Sequence, residues 1–252
     1  MLPKITVITA SYNSEKTISD TIESILNQKY SNIEYLIIDG GSTDNTISII
    51  KQYENLFEGR LKYISEKDSG IYDAWNKGLK RAQGDWISFV GSDDILFENI
   101  FSDFINLAEI NNNINFISSK ILLVTENLDP IRVIGEKWCG KMNSYCCIAH
   151  VGSLHHKSLF YKKGIFNSTY KIAGDYDFLL RCRDIIKPFF VDKVLAKVRD
   201  GGISGRQISR VAGETIMVKK NNKSQCIIKI YTDYFIMIIK FFVRTKILNK
   251  IN

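Results

Sequence analysis

The sequence is short of the features that would place it in several common classes. Its five cysteines, Cys139, Cys146, Cys147, Cys182 and Cys226, are odd in number and form no CxxC pair, which argues against a disulfide framework and for a reducing compartment. No apolar run approaches the ~18 residues needed to span a bilayer, and Met1-Leu2-Pro3-Lys4 leads into an apolar strand without a cleavage site. A cytosolic or peripheral protein is expected. Acidic residues are scarce only in the tail: from Lys219 onward eight Lys and Arg face the single acid Asp233, which accounts for the whole net charge of +7. The body is therefore neutral, and composition gives no case for nucleic acid as a partner.

What is present is a chain of 252 residues, 45% hydrophobic and 24% charged, long enough for one sizeable core with an appendage. The stretch Gly84 to Asp94, GDWISFVGSDD, is its organising element. Trp86 to Val90 reads as a buried strand, and it runs into the adjacent carboxylates Asp93 and Asp94. Side chains alternate along a strand, so the two acids are expected to face different atoms of one ligand. At the C-terminal end of a strand in an α/β sheet, hard oxygen ligands suit Mg or Mn holding a diphosphate; a solvated turn is the plainer reading.

Strand, polar turn and helix recur from the N-terminus. Lys4–Thr9 is followed by a helix over 15–28, Ile33–Ile38 by a helix to about Tyr53, and Leu61–Ser65 by a helix over 71–81. This alternation predicts an α/β, doubly wound, mostly parallel, Rossmann-like sheet with the loops after Thr9, Asp39, Ser65 and Val90 along one edge.

The motifs ASYNS, DGGSTDNT, EKDSGIYDAWNKG and GDWISFVGSDD occur in that order. With them the chain resembles family 2 glycosyltransferases of the GT-A fold, particularly those assembling bacterial O-antigen, capsule or exopolysaccharide. The resemblance covers residues 4 to 100 and returns at Ala173 to Arg181. It implies a nucleotide-binding half over 1–100, an acceptor half over 101–222 and a tail over 223–252. It further implies that Ala10 and Tyr12 contact a uracil ring, that Asp39 accepts from the base, that Asp68 and Asp93 contact the nucleotide and ribose, and that Asp94 holds Mn or Mg. Asp175, at the start of a helical run, would be the catalytic base, with Asp177 as the fallback; a helix N-terminus stabilises negative charge there, and simple capping is the alternative. Three departures from the family pattern stand out: Ala10 for a proline, Trp75 for an arginine, and Gly91 for the first acid of a longer acidic motif.

The implied activity is an inverting, metal-dependent hexosyl transfer from a nucleotide-sugar, UDP-linked, to a lipid-linked or oligosaccharide acceptor. A nucleotidyltransferase would need a glycine-rich basic loop that residues 10 to 17 lack, and a basic-tailed scaffold would leave the ordered carboxylates unexplained. Trp138 to His156 gathers three cysteines and all three histidines, but the spacing does not fit zinc, and Trp138 suits either core packing or a sugar face. The glycines and arginines of 199–206 suggest a loop closing over the diphosphate or an ordinary connection. Residues 226–248 form an amphipathic pattern in which Lys229, Asp233, Lys240 and Arg244 share a narrow stripe. It is expected to lie on an anionic membrane surface, at the inner face of the cell membrane, with Lys219, Lys220, Lys223, Lys246 and Lys250 meeting headgroups. A helix packed on the body is the alternative.

Overall fold

A computed structural model describes residues 2–111, 113–202 and 207–248. Four strands, β1 (Ile5–Ser11), β2 (Ile33–Asp39), β3 (Leu61–Ser65) and β4 (Trp86–Gly91), pair in parallel in the order β3-β2-β1-β4. Between them lie α1 (Ile18–Leu26), α2 (Thr46–Tyr53) and α3 (Ile71–Leu79). Every residue of β2 is buried, as expected of a strand covered on both faces. Alternate residues divide between two layers. Ile5, Val7, Tyr35 and Ile37 pack with Ile18, Ile22 and Ile50 on one face, while Ile8, Leu36, Ile38 and Phe89 pack with Tyr72, Phe178 and Leu179 on the other.

The second half makes the sheet mixed. The short strand β5 (Ile95–Leu96) and the helix α4 (Ile100–Ile110) lead to β6 (Phe116–Val124), which forms a hairpin with β7 (Pro130–Ile134). Next, β8 (Leu154–His156) inserts antiparallel between β4 and β6. The helices α5 (Ser158–Lys163) and α6 (Gly174–Cys182) precede β9 (Pro188–Arg199), which runs parallel to β6 and antiparallel to β5. β9 is one twelve-residue strand, with register shifts opposite Ser119–Ile121. The chain closes with α7 (Ile208–Asn221) and α8 (Ile227–Leu248).

Among the described residues, no helix is long and apolar enough to cross a membrane. The tail helix α8 is not detached from the body. Ile230 is buried, and Asp233 pairs with the buried Lys219 of α7 at 3.1 Å, so this stretch of the expected polar stripe faces protein. Lys219 is thus unavailable to a headgroup. Lys220 sits over the ring of Tyr231.

Candidate active site

The parallel register brings the loops together. Ser11, Asp39 and Ser65 are aligned across β1, β2 and β3, and Ala10 lies opposite both Ile38 and Gly91. Asp39 is buried, with both carboxylate oxygens engaged: Oδ1 accepts from the hydroxyls of Ser11 and Ser42, and Oδ2 from the amides of Gly41 and Ser42 and the hydroxyl of Ser65. Burial pushes its pKa up, but the hydrogen bonds from Ser42, Ser65 and Ser11 outweigh that, leaving it below the ordinary carboxylate value. Asp39 therefore shapes the Gly40–Ser42 turn. It would have to release a protein partner, or share an oxygen, to meet a base.

Asp68 and Tyr12 converge on that turn. A Cβ at Gly40 would lie 2.7 Å from Oδ2 of Asp68 and 3.4 Å from the Tyr12 ring, so the missing side chain is what lets the two approach. Tyr12 is 63% exposed, a free aromatic face at the rim. Asp68 Oδ1 accepts from the Gly70 amide at 2.8 Å, and burial raises its pKa against the opposing pull of that amide and of Lys77.

The acidic pair departs from strand logic. β4 ends at Gly91, and Ser92 to Asp94 form a turn, so alternation no longer separates the side chains. A Cβ at Gly91 would lie 2.7 Å from Oδ2 of Asp94 and 2.8 Å from Oδ1 of Asp93; both carboxylates fold over the same glycine. α1 and the loop before it hold the turn: Thr21 donates to the Asp94 carbonyl at 2.7 Å, Thr17 donates to the Ser92 carbonyl at 2.9 Å, and the Ser14 and Ser92 hydroxyls lie 2.7 Å apart. Arg199, at the end of β9, donates to the Asp93 carbonyl at 2.7 Å and pairs with Asp20. It reaches the turn from β9, the strand paired with β5 just after the acids, whereas 203–206, the rest of the expected closing loop, lies outside the described residues.

Asp94 is 4% exposed, and burial, reinforced by repulsion from Asp93, pushes its pKa up to about 8 against the Gly91 amide and Arg199. Asp93 is likewise raised, chiefly by burial. Two crowded oxygen acids in one turn, with too little positive charge to keep both ionised, suit a hard divalent cation, which binds proteins through one or two carboxylates and completes its shell with phosphate oxygens and water. Among the described residues no cluster of three or more His, Cys, Asp or Glu could hold a metal. The cysteine and histidine stretch does not form one either. His150 and His155 are buried among Trp75, Phe89, Phe116 and Phe166, and Trp138 meets Phe116 edge-on.

Asp175 is the second residue of α6, whose N-cap is Ala173, so it does not serve as the cap. Its Oδ1 accepts from the Tyr176 amide at 2.8 Å and lies 3.1 Å from the Tyr72 hydroxyl. Burial, with the nearby Asp175 charge next, raises the Tyr72 pKa well above the ordinary tyrosine value, so this hydroxyl keeps its proton. Asp177 is spent elsewhere: one oxygen pairs with Arg181 at 2.9 Å and the other accepts from Asn222 at 2.9 Å. Both carboxylate oxygens of Asp177 are thus engaged, whereas the hydrogen bonds of Asp175 among the described residues fall on Oδ1 alone. Tyr72 and Arg199 complete the surroundings without having been assigned these contacts from sequence; Tyr72 lies within the EKDSGIYDAWNKG motif, but Arg199 carried only a loop signal.

The glycosyl transferase family 2 model matches residues 6–136. A glycosyltransferase of PGL/p-HBAD biosynthesis from Mycobacterium bovis is 28% identical over 186 residues, 71% of this chain and 70% of that protein. In fold, the chain is similar to S. aureus TarS 1-349 in complex with UDP-GlcNAc, with TM-score 0.70, 19% identity, and 85% of this chain and 65% of that one covered. It spans 39% of the longer TarS chain. The mannosyltransferase PcManGT from Pyrobaculum calidifontis, in complex with GDP-Man and Mn2+, gives TM-score 0.69 at 16% identity, covering 90% of this chain and 66% of that one. Over half of the sequence matches the family model and the sheet order places its motifs at one edge, so the chain belongs to glycosyl transferase family 2.

Proposed function

We propose that this protein is an inverting glycosyltransferase that moves a sugar from a UDP-sugar, with a divalent cation, to a hydroxyl of a lipid-linked or growing cell-surface polysaccharide, of the O-antigen or capsule kind. The observation that supports the reading is that Asp68 and the exposed ring of Tyr12 converge on Gly40, that the carboxylates of Asp93 and Asp94 crowd Gly91 at the end of β4, and that Asp175 at the start of α6 is reached by Tyr72 of α3. Tyr12 stacks on the base, while Ala10 and Asp39 set the floor beneath it, Asp39 through the turn it organises. Asp93 would face the ribose and Asp94 would hold the Mn or Mg ion. When bound, that ion neutralises charge on the diphosphate as it departs.

Asp175 accepts the proton of the acceptor hydroxyl while the hydroxyl oxygen attacks the anomeric carbon opposite the leaving nucleotide. The anomeric bond to the diphosphate breaks as the new glycosidic bond forms, and configuration inverts. Tyr72, protonated, shares its one hydroxyl hydrogen between the Ile172 carbonyl at 2.6 Å and Oδ1 of Asp175 at 3.1 Å, and so ties the carboxylate to the turn before α6.

The protein works at the inner face of the membrane. On α8 the exposed Ile228, Tyr231, Phe235, Ile236 and Ile239 share one helix face, which suits insertion among headgroups beside a lipid-linked acceptor. The Lys240 and Arg244 side chains lie outside the described residues, as does Lys250.

A thermal-shift panel of UDP-, GDP- and dTDP-sugars, each with and without Mn, tests the donor class, because a ligand bound only by the native state raises Tm. Stabilisation by a UDP-sugar that EDTA abolishes is expected. A product whose anomeric configuration, read by NMR, matches the donor's would contradict inversion.

A further inference from the structure

The turn that presents Asp175 is held from outside by a carboxylate far away in sequence. Residues 171–173 precede α6, and their amides all point at Glu214 of α7. Oε2 of Glu214 accepts from Lys171 at 3.1 Å, Ile172 at 2.8 Å and Ala173 at 3.0 Å, and Oε1 accepts from Lys171 at 3.0 Å. Glu214 is 9% exposed and has Arg210 one helical turn away at 3.7 Å. Three successive amides converging on one oxygen make a concave, positive backbone site, and an anion in it restricts all three residues at once.

The same segment is fastened on its other side. The Ile172 carbonyl accepts from the Tyr72 hydroxyl at 2.6 Å, and Lys171 reaches the Ser69 carbonyl in the loop that carries Asp68. A Cβ at Gly174 would lie 2.8 Å from the Tyr72 ring, so α3 and the start of α6 touch without a side chain between them. The end of α7 and the residue after it grip the flanks: Asn221 donates to the Tyr170 hydroxyl at 2.9 Å and Asn222 to Asp177 at 2.9 Å. Asp175 thus stands on a short bridge pinned at Tyr72 and at α7, and Glu214 is the α7 pin that makes the most bonds.

We propose that Glu214 is a positioning residue for the transfer reaction: it sets the turn 171–173 so that the Asp175 carboxylate meets the acceptor hydroxyl, while the nucleotide is held by other residues, on the loops after β1, β2 and β4. This rests on the reading of Asp175 as the base. A carboxylate misplaced by about an ångström can cost about a hundredfold in rate with little change in ground-state binding. In Glu214→Gln the side chain keeps its length, but an amide nitrogen replaces one of the accepting oxygens and removes the charge.

The test is a double-mutant cycle on the full chain, with Glu214→Gln, Asp175→Asn and the pair. Transfer is followed with the donor that the panel above selects, on a membrane-lipid extract that accepts the sugar, and UDP affinity is measured with Mn. Glu214→Gln is expected to lower kcat at least tenfold, with donor KM and UDP affinity within about twofold of wild type. The double variant is expected to be no slower than Asp175→Asn alone, because a residue acting through Asp175 has nothing left to position. A merely structural role predicts additive losses and a parallel fall in UDP affinity, and either result, or an unchanged kcat, overturns the proposal. If the glutamine variant does not fold, Glu214→Asp, which keeps the charge and withdraws it by one methylene, carries the same cycle. Wild-type transfer by Asp175→Asn alone would instead refute the base assignment on which the proposal stands.

Discussion

The Gly91 amide donates to Oδ2 of Asp94 at 2.8 Å, and that same oxygen would lie only 2.7 Å from a Cβ at position 91. The acidic turn is therefore closed around a residue without a side chain. Gly91→Ala should displace both carboxylates and weaken Mn-dependent UDP binding by at least tenfold while the fold survives, as isothermal titration and circular dichroism can show. Affinity within twofold of wild type would mean that the turn shifts freely and that its geometry does not govern binding.

Asp94 predicts a pH dependence. Its folded pKa, about 8, lies above the unfolded carboxylate value, so the contribution to stability is fully present below pH ~4 and is lost as pH rises toward 8. Metal-free protein should melt lower at pH 8 than this group's neutral form would allow, and Asp94→Asn should raise Tm there by about 2–8 °C, the range that ~1–2 kcal/mol gives for a chain of this size. At pH 4 the two proteins should melt together. Mn should stabilise wild type more at pH 8 than at pH 5, because cation and proton compete for the same oxygens. Parallel melting profiles across this window would remove Asp94 from both roles.

The Lys219 and Asp233 pair joins α7 to α8, with the lysine side chain 4% exposed and the aspartate 23%. Asp233→Ala leaves a buried ammonium without its partner and should cost on the order of 2–3 kcal/mol in urea unfolding. Adding Lys219→Met should recover most of it. If the single aspartate variant unfolds like wild type, the tail helix is not anchored by this contact.

Parts of this architecture are legible in sequence because local pattern and tertiary role agree. β1 to β4 are short apolar runs ended by polar turns, and the parallel sheet follows from their alternation with helices. β8 is not legible: Leu154-His155-His156 is three residues long and is a strand only because β4 and β6 offer it two edges. The β6 to β7 hairpin is hidden by Pro130, which reads as a turn and in fact sits on a strand at the margin of the sheet. In the site, Asp93 and Asp94 are visible as residues but not as a pair facing one glycine, since the strand stops two residues earlier than alternation assumes. Asp177 looks equivalent to Asp175 until Arg181 and Asn222 are seen to occupy it. Glu214 lies 43 residues from the Lys171 amide it holds and has no motif of its own.

Membrane association of α8 is testable apart from catalysis. Vesicles containing anionic lipid should pellet the full chain but not a chain ending at Asn222, and charge-neutral vesicles should retain less of it. Equal pelleting of both chains would leave the exposed apolar face of α8 to another partner.

The most direct test of the account is transfer by Asp175→Asn beside wild type, with a competent acceptor and with UDP binding measured on the same preparations. The account predicts unchanged UDP affinity in Mn and a turnover lower by ~10²–10⁴-fold, the scale of a lost general base; wild-type turnover by this variant would contradict it.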